Sequence, residues 1–169
     1  MTDIRIRSFE IEDAPNLTLL LHRAYAELGA VGLNFTAVDQ STATTVYRAS
    51  QGNCLIALAD GEMVGTLTMS LPPSPTMRSM FAGADADDVA WLGQLGVDPT
   101  RRGEGIARRL WLAGLAWARE RGATSVGVDT AEPAEHLIDL YERWGFERAG
   151  TVHWMGKTYE SVVMLRPVD

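Results

Sequence analysis

The sequence predicts an α/β chain in which a sheet of about seven strands is flanked by about four helices. Three observations predict it. An apolar run from Val89 to Val97 passes through a turn rich in glycine and arginine into an amphipathic helix over about 104–121. Two strand-like runs, Cys54 to Ala59 and Met63 to Ser70, flank Asp60-Gly61-Glu62, and Asp-Gly is a strong hairpin signal. Segments of strand period and helix period alternate along the whole chain, in the order β-α-α-β-β-β-α-β-α-β-β.

Each element has its own warrant. Ile4 and Ile6 alternate with polar neighbours, so residues 3–8 read as the first strand. From Asp13 to Leu28 the apolar residues Leu17, Leu20, Leu21, Ala24, Tyr25 and Leu28 recur at helical spacing, and Gly29 can end that helix. Residues 30–40 look irregular, and residues 41–50 read as a short helix with Ser41 as its N-cap. After the hairpin, Pro72 to Asp88 holds three prolines, a glycine and several acids, and reads as the longest loop. The helix after the glycine-rich turn places Ile106, Leu110, Ala113, Gly114 and Trp117 inward and leaves Arg108, Arg109, Arg119 and Glu120 wet, with Gly122 suited to its C-terminal cap. Residues 124–130 form a fifth strand, and Pro133 fits the first turn of a last helix ending near Gly145. Two strands, about 146–153 and 159–166, close the sheet. With no repeat and no linker, residues 1–169 read as one domain.

Bulk properties agree with an ordinary globular domain without deciding its function. A formal net charge of −7 disfavours a general nucleic-acid binder; it is compatible with a cationic amine substrate, and more simply with surface acid that aids solubility. The one cysteine, Cys54, cannot form an intrachain disulfide, and its apolar surroundings predict a buried, inert thiol. Neither a signal-peptide pattern nor an apolar run long enough for a membrane is present, which leads us to expect a cytoplasmic protein. The three histidines lack HExxH or another ligand cluster, so no metal is expected.

The glycine-rich turn carries the chemistry. At a helix N-terminus the first amides lack intrahelical partners and the helix dipole favours negative charge, so the place suits a phosphate or pyrophosphate. A Walker loop fails here, because Ile106-Ala107 follows Gly105 in place of Lys-Ser or Lys-Thr. The dinucleotide fingerprint fails at Arg108, where it needs a third glycine. A third pattern, Arg/Gln-x-x-Gly-x-Gly/Ala, is complete in Arg102-Gly103-Glu104-Gly105-Ile106-Ala107. That pattern resembles the pyrophosphate loop of the GCN5-related N-acetyltransferases (GNAT family). The preceding Leu95-Gly96-Val97-Asp98-Pro99 looks like the end of that family's fourth strand, and Leu140 to Phe146, LYERWGF, is similar to its Leu-Tyr-Glu-x-x-Gly-Phe signature.

This resemblance implies the GNAT fold: a mixed, strongly twisted sheet whose fourth and fifth strands splay to admit acetyl-CoA. It also implies roles. Arg102, Gly103, Glu104, Gly105, Ile106 and Ala107 would hold the pyrophosphate; Leu95, Gly96 and Val97, at a bulge, would meet the pantetheine and the thioester oxygen. Gly96 supports this independently, since a strand glycine often marks a bulge or a close ligand. Tyr141 matches the signature tyrosine, the general acid for the departing thiolate. Asp129, at the end of the fifth strand, is the candidate general base; strand-end capping is its other reading, and Glu132, His136, His153 or bulk water are alternatives. Ala134 stands where many members carry a pantetheine-binding asparagine, so the hydroxyl of Thr130 is a candidate substitute. The acceptor pocket is expected from residues 22–41, 72–87 and 151–160, with Tyr25, Phe35, Met77, Met80, Phe81, Trp154 and Tyr159 apolar and Asp85, Asp87 and Asp88 acidic at the rim. The predicted activity is direct acetyl transfer from acetyl-CoA to a primary amine of a small molecule or peptide. The rival is a non-catalytic acyl-CoA-binding module. Partners are acetyl-CoA and the amine, with no nucleic acid or membrane and a homodimer left open.

Overall fold

A computed structural model describes residues 2–169. Seven strands run β1 (Ile4–Ser8), β2 (Asn53–Ala59), β3 (Glu62–Ser70), β4 (Val89–Val97), β5 (Ser125–Ala131), β6 (Glu147–Val152) and β7 (Ser161–Pro167), and they lie side by side as β1-β2-β3-β4-β5-β7-β6. Every neighbouring pair is antiparallel except β4 and β5, which are parallel. The predicted mixed sheet is therefore present. Asp60 and Gly61 turn the β2–β3 hairpin with φ of 51° and 83°, as the Asp-Gly pair predicts.

Helices α1 (Ala14–Ala30) and α2 (Thr42–Ser50) cover one face. Leu17, Leu20 and Leu21 of α1 pack there on Cys54 and Ile56 of β2. Helices α4 (Ile106–Glu120) and α5 (Glu135–Arg143) cover the other face, where Ile106, Leu110, Trp111, Ile138 and Tyr141 join Leu55, Leu67, Leu92 and Val128 in the largest core cluster. The helical period of those residues selects this stripe, and its burial drives the docking. Ser41 caps α2 as expected, accepting from the Thr44 amide.

Two expectations need correction. The stretch Pro72 to Asp88 is not all loop: it contains a fifth helix, α3 (Pro75–Met80). Ser74 accepts from the Met77 amide and Pro75 opens the first turn, so the prolines that argued for irregularity start a helix instead. Met77 anchors it, buried against Val89 and Trp91. Pro133 lies before the last helix rather than in its first turn, because α5 begins at Glu135 with Ala134 as an N-cap that has no side-chain hydrogen bond.

Candidate active site

The glycine-rich turn forms where β4 ends. Pro99–Arg101 makes one 3-10 turn behind Asp98, whose side chain accepts from the Thr100 amide at 2.9 Å. Gly103 and Gly105 then take φ of 83° and 77°, left-handed values that cost other residues roughly 1–2 kcal/mol. Gly105 is the N-cap of α4. The amides of Gly103 to Arg108 meet no backbone acceptor among the described residues. Glu104 sits in this nest of donors, but Arg101 holds its carboxylate in a fork at 2.6 and 3.0 Å and keeps its pKa below the usual range. Arg102 reaches Glu27 of α1 at 3.0 Å and stays exposed.

The strand before the turn carries a bulge, but not where the glycine pointed. Pairing with β3 shifts register between Thr66 and Thr68, opposite Gln94 and Leu95, and Gln94 takes φ of 55°. An extra residue in one strand reverses which face its successors occupy. Leu95 and Val97 consequently face the core under α4, while Gly96 faces α1. A Cβ on Gly96 would lie 3.2 Å from Ala24 and 3.4 Å from Leu21, so the missing side chain makes room for α1. Gly93, the other glycine of β4, has open space beside it and lines the cavity described next. The left-handed Gln94 is held by its buried side chain, which accepts from Gln40 at 2.9 Å and donates to Thr68 at 3.4 Å. Tyr25 donates to the Leu95 carbonyl at 2.6 Å.

Parallel pairing of β4 with β5 covers only Val89–Leu92 against Ser125–Val128. Past Leu92 the two strands part, as expected, and a cavity of about 500 Å³ reaches into the opening. Tyr141 lines it from α5. Its ring is buried edge-on to Trp144 and Phe146, its hydroxyl has no hydrogen-bond partner among the described residues, and burial pushes its pKa well above the usual phenol value. Thr130 also lines the cavity, and its buried hydroxyl is likewise without a partner. Such an orphan costs about 1–3 kcal/mol unless something fills it.

Asp129, the residue after the last β4–β5 pair, faces the same cavity. Trp91 donates to its Oδ1 at 2.9 Å and Trp154 to its Oδ2 at 2.8 Å. Burial raises the Asp129 pKa, and the two indoles and the charge of Arg48 pull it back. Each oxygen retains a lone pair for a further donor. The other base candidates lie away: Glu132 and His136 are exposed, and His153 pairs with Glu160 at 2.8 Å on the surface. Cys54 is buried in the α1–β2 core with its pKa raised by burial, and it does not line the cavity.

Tyr25, Phe35, Met77, Trp154 and Tyr159 line the cavity; Met80 and Phe81 do not, although they pack in the same cluster as Met77 and Trp154. The expected acidic rim is absent from the lining. Asp85 and Asp87 are tied to Arg78 at 3.2 and 3.0 Å, and Asp88 accepts from Thr124 at 2.7 Å. In their place the lining carries two cations that sequence reasoning missed, Arg48 of α2 and Lys157 of the β6–β7 loop. Arg48 lies three residues after the fully buried Thr45, so it falls on the inward stripe of α2. That spacing was the available signal.

A model of the acetyltransferase (GNAT) family matches residues 19–146. The S-(2-succino)cysteine N-acetyltransferase of Bacillus subtilis is 27% identical over 158 residues, covering 90% of this chain and 88% of the relative. Human N-acetyltransferase 8B is 28% identical over 143 residues, covering 84% of this chain; the match spans only 58% of that relative's length. Among solved structures, the ribosomal-protein-S18-alanine N-acetyltransferase of Escherichia coli superposes with a TM-score of 0.75 at 19% identity, over 99% of this chain and 95% of that one. The yncA protein of Salmonella typhimurium, solved with its cofactor acetyl-CoA, gives a TM-score of 0.71 at 18% identity, over 99% and 95% of the two chains.

Proposed function

Because the chain belongs to the GNAT acetyltransferase family, we propose that it is an acetyl-CoA-dependent N-acetyltransferase that transfers the acetyl group directly to a primary amine. The observation that carries this reading is one cavity, at the parting of β4 and β5, lined by a free phenol, an orphaned hydroxyl and a carboxylate. The residues present fit acetyl-CoA. Unpartnered amides from Gly103 to Arg108 suit its pyrophosphate, and the Thr130 hydroxyl suits a polar group of the pantetheine where Ala134 offers none.

In the proposed reaction the neutral amine attacks the thioester carbonyl carbon. The C–N bond forms and the C–S bond breaks. Asp129 takes the amine proton, directly or through a water, and its raised pKa makes it a stronger base than an exposed carboxylate. Tyr141 gives its proton to the departing thiolate. Its hydroxyl has no competing partner in the protein, and burial keeps it protonated at neutral pH. Cys54 lies outside the cavity, which favours direct transfer over an acyl-enzyme. The whole is read as one acetyltransferase domain over residues 1–169.

The test is release of free thiol from acetyl-CoA with a panel of primary amines, amino acids and short peptides. The reading expects acetylated product in step with thiol. Tight CoA binding with no product from any acceptor would instead make the protein a binding module.

A further inference from the structure

The charges lining the cavity are arranged for one kind of acceptor. Arg48, Lys157 and Asp129 all face it, and none of the three forms an ion pair with any described residue. Asp129 is taken up by two indoles. Arg48 spends one N–H on the Gln40 side chain at 2.8 Å. Lys157 donates to the Asn34 carbonyl at 2.7 Å and to the Thr36 hydroxyl at 3.0 Å. The excess positive charge here sits inside a protein whose formal charge is −7, so it is local and built.

The guanidinium is also fixed in place. Gln40 is buried, its side-chain amide donates to Thr45 and Gln94, and its side-chain carbonyl oxygen accepts from Arg48. This network leads from the β4 bulge to Arg48, so the cation is positioned by the element that shapes the cleft. A guanidinium presents five donors in a planar fork that matches a carboxylate. Burial, and after it the nearby charge of Arg48, lower the Lys157 pKa, and an anion bound between the two cations would oppose that shift.

Resting on the acetyltransferase reading above, we propose that the acceptor is a free amino acid. Arg48, assisted by Lys157, takes its carboxylate, and Asp129 receives its amine. Separated opposite charges in one cavity complement a zwitterion, whereas a bare alkylamine or an internal lysine of a protein would leave both cations unpaired. The lining by Phe35, Met77 and Trp154 favours an apolar side chain on that amino acid.

The experiment pairs acids with amides. A panel of free amino acids, S-alkylated cysteines among them, is compared with the corresponding carboxamides as acceptors. The N-acetylated forms of both sets are titrated calorimetrically into the protein with CoA present. Wild type should prefer the acids, with kcat/KM for the best acid roughly 10–100-fold above its amide, the span of a hydrogen-bonded charge pair. Arg48→Gln should collapse that ratio toward one mainly through KM. Arg48→Lys should restore part of it. CoA affinity and melting temperature, measured on the same samples, establish that the variants are folded. Equal use of acids and amides by wild type, or an acid preference that survives in Arg48→Gln, would overturn the proposal. Binding of N-acetyl acids over N-acetyl amides without any turnover would uphold carboxylate recognition by Arg48 while defeating the acetyltransferase reading and, with it, the role of acceptor; no binding by either set and no acid turnover would overturn the proposal.

Discussion

Replacing Tyr141 by phenylalanine separates chemistry from packing more cleanly here than such a change usually does. The ring lies edge-on to Trp144 and Phe146 at centroid distances of 5.9 and 5.8 Å, and phenylalanine keeps both contacts. The hydroxyl makes no hydrogen bond within the described protein, so its removal leaves no buried group stranded. Stability should therefore stay within about 1 kcal/mol of wild type, or rise, since a poorly solvated polar group is deleted. For a chain of 169 residues that corresponds to a melting shift of at most about 2–4 °C. Turnover should fall by roughly 10²–10⁴-fold, equivalent to about 3–5 kcal/mol of transition-state stabilisation, because the leaving thiolate loses its proton donor. CoA affinity should barely move, as expected of an interaction made mainly in the transition state. Thiol release, CoA calorimetry and thermal melting on one preparation measure all three. Unchanged turnover would refute the acid role. A melting temperature lowered by more than about 5 °C would show that the hydroxyl has a structural partner after all.

Other perturbations test neighbouring parts of the same reasoning. Gly105→Val forces a β-branched residue to φ 77° and fills the space before the nest, so CoA binding should be lost and stability should drop by roughly 1–3 kcal/mol; Gly105→Asn, which tolerates that φ, should recover most of the stability, and equal stability of the two would discredit the backbone argument. Arg102→Ala should weaken CoA less than Gly105→Val does, since the main chain supplies most donors; calorimetry ranks them. Asp129→Asn should cut turnover and flatten the acidic limb of the pH profile. In stability the sign is opposite to that of a salt-bridged carboxylate: the raised folded pKa means wild-type stability declines as pH rises from the ordinary value of 3.8 toward the raised one, and the asparagine variant should lack that slope in pH-dependent melting. Trp91→Phe deletes the indole that opposes burial, so the acidic limb of turnover should move to higher pH; movement to lower pH would reverse the assigned cause.

What the sequence made legible were the features that local chemistry dictates. The nest was legible because two glycines at a strand-to-helix turn have few other uses, and both occupy left-handed φ. Tyr141 was legible through its motif, and the structure places it on the cavity as a helical period on α5 requires. The bulge was misplaced because Gln94, an ordinary polar residue, adopts the left-handed conformation; the tertiary network through Gln40 and Thr68 stabilises it, and no local signal announces that. Gly96 drew attention for its missing side chain, yet its space is taken by Leu21 and Ala24, residues more than seventy positions away. Arg48 and Lys157 were missed for a similar reason: lone cations on α2 and in a hairpin look like solvated charges until the fold turns them inward.

The short pairing of β4 with β5 has a mechanical consequence. Four residue pairs, Val89–Leu92 against Ser125–Val128, and one further backbone bond from the Thr124 amide to the Asp88 carbonyl at 2.8 Å, join the four-stranded half of the sheet to the three-stranded half. The sheet thus has a seam, unzipped at one end by design. Whatever enters there touches both halves at once and acts as a stitch, adding to the fold a free energy that grows with the logarithm of its concentration over its dissociation constant. Amides along Gly93–Val97 and Asp129–Ala131 are where such stitching would register first, as slowed hydrogen exchange spreading from the open end of the seam toward Leu92 and Val128.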